Sequence, residues 1–538
     1  VPAIADVKRV GVFPAGEREC RRRLFDTLEG AFPVRFEPRS PGELRDLDAV
    51  LEIGGGLSAE SGARAGLAAL AMKRHEDRQS GETVKVALSH SLAIDPRLRG
   101  ASLSDAFLGH RAGLEPFGRP TILASGNTGP LWVRAGKLGT TALAPSELAP
   151  GEALRERLQD GRCAALLPLV HFLSDLTRDT RWQPPQPRAA FLFDDPNLHW
   201  PSYGFLDLPA LAALARERRY HVALAMVPID GWFAHPTAVR ALRQGAGSLS
   251  LLVHGNDHSK HELGRPAAAA EGTALAAQAL RRVAAFERRT RTRVDRVMAP
   301  PHEACSEGAV RGLRRCGFEA ISMTRPYPWI ESTPRSWLAR PQSADALVGW
   351  GPGGFVEGLP LLLRHPLAQR SPTELALRAF LGQPLILYGH HEDLLHGPDA
   401  LLEAAEDVNR LAPARWCSLG EIAATSFETR RQGSHLAVRL LNRRTRIEVP
   451  AGVEEVSFEL PTSGLRPDLQ LLEANGAPLS LGEPLRVGAG EGLEVRLRPH
   501  DSVQVDAVPA PRRRPLAVAR RLASEGRDRL RPLAARAR

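Results

Sequence analysis

Apolar positions along the chain fall into three successive regimes. In the first, short apolar runs at 7–14, 48–54, 84–89 and 120–124 alternate with helix-period stretches at 17–31 and 58–74. This predicts an α/β domain of Rossmann-like character with a mostly parallel sheet. A long helix is predicted over 151–177, and the Pro-rich joint WQPPQP at 182–187 closes the domain, so its span is 1–182. A second α/β regime runs over 188–428. From 434 to 507 the period drops to two, with turns between segments such as HLAVRL, EEVSFEL and GLEVRLRP, which predicts a small β-sandwich. Residues 509–538 are Arg-rich and read as a flexible tail.

In the second regime the strand ends are polar in a repeated way. The run 189–193 ends at Asp194-Asp195, 249–253 at His254, and 296–299 at Pro300-Pro301-His302; 361–363 ends at Arg364-His365 and 385–388 at Gly389-His390-His391. In a (β/α) barrel the carboxyl ends of parallel strands share one mouth, so these groups are expected to converge there.

Composition sets limits on this picture. With 43% hydrophobic and 25% charged residues the chain reads as globular. Its net charge is +10, carried by 66 Arg against five Lys, a skew that weakens any argument from Arg count alone. Ten Arg against Glu525 and Asp528 place +8 of that charge in 509–538, so the body is nearly neutral and no nucleic-acid partner is expected; the basic tail is a candidate for peripheral contact with an anionic membrane. No apolar run approaches the roughly 20 residues of a membrane span, and no secretory signal is visible. Five widely spaced cysteines without a CxxC support neither a disulfide framework nor a thiolate zinc site. The expectation is a cytoplasmic protein.

Three motifs carry chemistry: Asp194-Asp195 at a strand end, His254-Gly-Asn-Asp-His258, and the strand LILYG leading to His390-His391. Two histidines at i and i+4 lie on one helical face or on two sides of a tight turn, a separation that suits one metal ion. One carboxylate with two imidazoles and an open fourth position is the catalytic rather than the structural zinc arrangement.

These motifs, in this order, resemble the polysaccharide deacetylase superfamily, the NodB-type carbohydrate esterases, over about 188–425, in a divergent form. The resemblance implies a distorted (β/α)7 barrel, with Asp194 as catalytic base, Asp195, His254 and His258 as metal ligands and His390 as general acid. The metal it implies is divalent, Zn2+ first, with Co2+, Ni2+ or Mn2+ open. The reaction it implies is metal-assisted hydrolysis of an acetyl group, chiefly N-acetyl, on a sugar or polysaccharide-related substrate. One departure is clear: the family's Arg-x-Pro arginine, which holds the base carboxylate, is absent from VMAPPH at 297–302, leaving Arg364 or His302 to support the base.

Candidate substrate contacts are His302, Arg364, Tyr388 and His391, and His391 also competes with His390 for the acid role. His261 and Asp257 are close enough to exchange roles with their neighbours. Two other readings stand beside deacetylation. A glycoside hydrolase needs two separated carboxyl groups, for which Glu303, Glu392 and Asp393 are the available partners; a catalytically lapsed carbohydrate-binding or scaffold protein needs none. The first domain somewhat resembles a glutamine-amidotransferase-like fold, but Cys20 and Cys163 do not sit at a strand-to-helix elbow, so it is expected to be non-catalytic. Gly54-Gly55-Gly56 reads as a plain turn rather than a phosphate cradle.

Overall fold

The computed structural model describes residues 7–75, 83–108, 113–115, 118–159, 161–325, 346–411, 413–461, 465, 470–511 and 515–536. The chain divides into two compact units, the first comprising 1–183, 340–350 and 371–381, the second the remainder.

The first unit is built on a nine-stranded sheet. Strands Val34–Pro38, Lys8–Phe13, Ala49–Ile53, Ala68–His75 and Leu138–Ala144 run parallel in that spatial order. Gly129–Ala135, Thr121–Gly126, Val84–Leu88 and Ser102–Asp105 continue the sheet antiparallel. The α/β reading therefore fits one half, while the other half is a meander. Two predicted helices are corrected. The helix expected over 58–74 stops at Arg64, and Gly66 at φ +85° turns the chain into the strand Ala68–His75. Of the helix expected over 151–177 there is a 3-10 turn at Leu154–Arg157 and an α-helix at Leu167–Leu176; just before the latter the buried Asp105 carboxylate accepts the N–H groups of Cys163 and Ala164. The Gly54–Gly56 turn wraps the Glu52 side chain, whose carboxylate accepts the Ala59 N–H at 2.7 Å and so already occupies that helix start.

In the second unit seven strands close a parallel barrel: β1 (Arg188–Asp194), β2 (Val222–Met226), β3 (Leu249–Val253), β4 (Val294–Met298), β5 (Ala320–Met323), β6 (Leu359–Pro366) and β7 (Leu385–Gly389). Each pairs with the next and β7 pairs back with β1. The near-continuous apolar runs of these strands follow from burial on both faces, inside the barrel and under helices. Small side chains such as Ala190, Ala223, Ala225, Ala299 and Ala320 fill the interior together with Leu192, Leu252, Leu362 and Ile386. Around the barrel lie α1 (Leu208–Arg218), α2 (Pro236–Gln244), α3 (Ala269–Thr290), α4 (Glu307–Arg315), α5 (Asp399–Leu411) and α6 (Leu419–Ala424).

Two four-stranded sheets follow from Phe427, earlier than the expected 434. They enclose a core that includes Val438, Val456, Phe458, Leu493 and Val495. The Arg-rich segment, expected to be a flexible tail, instead carries a helix, α7 (Pro515–Arg536), docked through buried Arg521, Glu525 and Asp528. The reason is specific ion pairing, described below. Among the described residues no helix is long and apolar enough to cross a membrane.

Candidate metal centre at the barrel mouth

Asp194 ends β1 and Asp195 is the first residue beyond it, with a left-handed backbone at φ +77°. The reversal aims the Asp195 carboxylate at the loop that follows β3. That loop, His254 to His258, is a tight turn rather than a helix, and its organiser is Glu262, which sequence reasoning missed. The Glu262 Oε1 atom accepts the backbone N–H groups of Asn256, Asp257 and His258 at 2.7, 3.1 and 2.9 Å. Gly255, at φ +67°, is required twice over: its backbone is left-handed, and a Cβ there would collide with Glu262 and Pro301.

The loop brings Asp195, His254 and His258 together, with one potential ligand atom from each all within 4.8 Å of one another. Asp195 Oδ1 lies 3.7 Å from His254 Nε2 and 3.1 Å from His258 Nε2. Bonds of about 2.0–2.2 Å in a tetrahedron put donor atoms about 3.4 Å apart, a separation the two measured distances straddle. The protonation states suit the same purpose. His254 Nδ1 is 2.9 Å from the Ala299 carbonyl oxygen, to which it donates, which leaves Nε2 as the ring atom on the side of Asp195. Burial, reinforced by His254 and countered in part by Asp195, pushes the His258 imidazole down to about 3, so it is neutral at ordinary pH. Burial opposes ionisation of Asp195, but His254, His258 and Arg521 outweigh it and hold the carboxyl below the usual range. The donor set therefore fits a divalent cation.

Asp194 sits beside these donors, fully enclosed. Burial again opposes its charge, and Arg364, helped by His254 and His390, more than offsets it, so the carboxyl is held below the ordinary range. Arg364 Nη1 donates to Asp194 at 2.9 Å, and its Nε donates to Glu303 at 2.7 Å. Arg364, named from the sequence both as a substrate contact and as a partner of Asp194, is 1% exposed and bonded to the two carboxylates. Tyr388, also expected at substrate, packs its ring against the Arg364 guanidinium, 4.1 Å from centroid to Cζ.

The remaining candidates divide. His390 is exposed just beyond β7, with its backbone N–H fixed by Asp393 at 2.9 Å. His302 is exposed and meets both His258 and His261 with ring centroids 4.9 Å apart. His391, expected at substrate, is instead buried against Tyr203 and Phe205, because the turn His391–Leu394 points its ring under α7. That helix was not foreseen at the site at all. Arg521 enters from it, with Nη1 3.3 Å from Asp195 Oδ1 and Nη2 2.6 Å from Asp230 Oδ2. As one Arg among 66, it has no local signal that sets it apart.

No family model and no curated protein matches the chain. It is similar in part to solved carbohydrate esterases. One is a family 4 carbohydrate esterase from Streptomyces lividans in complex with acetate, 13% identical, covering 44% of this chain and 92% of that one at a TM-score of 0.26. Another is the Xyl-CE4 domain of a multidomain xylanase from the hindgut metagenome of Trinervitermes trinervoides, 10% identical, covering 44% and 89% at 0.25. A third, from Mycobacterium smegmatis and assigned as a polysaccharide deacetylase, is 15% identical, covering 45% and 92% at 0.31. Likenesses this distant leave the chemistry to be carried by the residues themselves.

Proposed function

We propose that the chain is a metal-dependent hydrolase that removes an acetyl group, N-acetyl in the first instance, from a sugar or polysaccharide-related substrate. The observation that carries this reading is the convergence of Asp195, His254 and His258 beside a second carboxylate, Asp194, that Arg364 keeps ionised. Asp195, His254 Nε2 and His258 Nε2 would hold a divalent cation, Zn2+ first on its preference for N and O donors, with Co2+, Ni2+ or Mn2+ also compatible. Such a cation supplies Lewis acidity toward a carbonyl and acidifies a bound water.

The chain's own residues supply the proton traffic. Asp194, bonded to Arg364, stays ionised and takes the proton of the attacking water. His390, solvent-exposed at the end of β7, returns a proton to the departing amine, so that the amide C–N bond breaks to acetate and a free amine. Half-buried Glu303 and Tyr388 act behind this line by fixing the Arg364 guanidinium.

The test is metal analysis of the dialysed protein together with acetate release from N-acetylated oligosaccharides. A bound divalent cation with acetate release supports the reading. Chain cleavage without acetate would replace it with a glycosidase, and sugar binding without either product would replace it with a lapsed carbohydrate-binding protein.

A further inference from the structure

Helix α7 is amphipathic in an inverted sense. A helix on a globular protein ordinarily buries its apolar stripe and exposes its charges. Here Ala517, Arg521, Glu525 and Asp528, spaced four, four and three apart, form the buried face. Arg521 bonds Asp230 and Asp195, Glu525 meets His199 Nδ1 at 2.8 Å, and Asp528 accepts the Tyr203 hydroxyl at 2.8 Å. The opposite face carries Leu516 and Leu530, 80% and 63% exposed, with Leu522 on its flank.

Two tryptophans of the barrel rim are also exposed, on loops that flank the helix. Trp232 is 60% exposed and stacks near His199, the partner of Glu525, while exposed Trp200 receives the Arg529 guanidinium at 5.6 Å from its ring centroid. Both tryptophans lie in loops that leave β1 and β2 at the mouth. Both acidic residues of the helix are turned inward together with Arg521, while Arg520 and Arg527 stand exposed beside the leucines, Arg527 with its Nε bonded to Asp528 at 2.9 Å. The outward surface is thus apolar and aromatic with only positive charge on the helix.

We propose that this surface docks the barrel mouth onto an anionic phospholipid membrane. Leucines and tryptophans enter the interfacial region while Arg520 and Arg527 meet lipid phosphates, the combination by which amphipathic helices bind peripherally. The contact does not depend on the deacetylase reading, because none of the residues that make it belongs to the metal centre.

The experiment is co-sedimentation of the full chain with vesicles of phosphatidylcholine alone or of equimolar phosphatidylcholine and phosphatidylglycerol. Binding is expected only to the anionic vesicles and is expected to weaken as salt rises through the range that screens surface charge. Leu516→Ser/Leu530→Ser and Arg520→Glu/Arg527→Glu are each expected to reduce binding roughly tenfold or more, with circular dichroism and metal content unchanged. Equal binding to neutral vesicles, binding unaffected by both double variants, or no vesicle binding overturns the proposal. If light scattering instead shows self-association that the leucine variant abolishes, with no vesicle binding, the surface is a contact between copies and the membrane assignment falls.

Discussion

Arg521 straps Asp195 at two points: its Nη2 donates to the Asp195 carbonyl oxygen at 3.1 Å, and its Nη1 lies 3.3 Å from the carboxylate. The strap matters because Asp195 is held at φ +77°, a conformation that costs a non-glycine residue on the order of 1–3 kcal/mol. Asp230 anchors the guanidinium from the other side, with 3.0 and 2.6 Å bonds to Nε and Nη2. Residues 326 positions apart in sequence are therefore coupled at the candidate metal ligand.

Arg521→Met is expected to destabilise the protein by about 3–5 kcal/mol, because it leaves the buried Asp230 carboxylate without its partner. Adding Asp230→Asn to that variant is expected to restore part of the loss, since it removes the stranded charge. Guanidinium denaturation midpoints of the two single variants and the double variant check this, and additive effects would show that the pair is not coupled.

Asp194→Asn and His258→Ala separate proton transfer from metal holding. The first is expected to keep the cation and lose about 10²- to 10⁴-fold in acetate release, the scale of a general base. The second is expected to lose cation and turnover together. Metal content measured beside activity decides, and full metal retention in His258→Ala would remove that residue from the ligand set.

Docking of α7 is expected to depend on pH through His199 and Glu525. Burial favours neutral His199, but its bond to Glu525 outweighs this and raises the imidazole above its ordinary 6.5; burial would raise Glu525, but His199 and Arg529 bring it down to about 2. A raised histidine contributes stability fully below about 6.5 and loses it as pH rises through the folded value. A lowered carboxylate contributes above about 4.5 and loses it as pH falls toward 2. Protection of 515–536 against hydrogen exchange, taken relative to the intrinsic rate at each pH, should therefore be greatest between these limits, and His199→Gln should flatten the alkaline side; an unchanged profile in that variant would assign the pH dependence elsewhere.

Gly255→Ala is expected to cost more than about 1 kcal/mol, since it adds a side chain at positive φ where Glu262 and Pro301 leave no room. The relief is a shift of the loop that carries His258, so metal content should fall along with the melting temperature. A variant that melts lower but binds metal fully would show that the loop relaxes without moving its ligands.

The strand-end chemistry was legible before any coordinates because a buried parallel strand is an apolar run whose first polar residues mark the mouth. Asp194, Asp195, His254 and His390 each stand at such a junction, and His258 follows His254 by four positions, so their side of the barrel followed from local pattern. The pattern showed five such strand ends, and the seven-strand barrel was what the family resemblance implied. Local pattern failed where distant partners decided the outcome. The segment 151–177 has helical character, yet Asp105 takes the N–H groups of Cys163 and Ala164 and the α-helix starts only at Leu167. Ala68–His75 reads as helix until its neighbours in the sheet take it as a strand. Arg364 was one of two candidates to accompany Asp194, and only the tertiary structure brings it there, across the barrel.

The sequence by itself determined that acidic and histidine side chains stand at the ends of successive apolar strands, at one end of a barrel, because that junction repeats at strand length. Tertiary structure alone decided that an Arg-rich terminal segment becomes a helix over the mouth, that Arg521 holds Asp195, and that His391 is buried beneath that helix. Ion pairs across 326 positions leave no periodicity behind. They form only where folding brings a guanidinium and two carboxylates into one desolvated place.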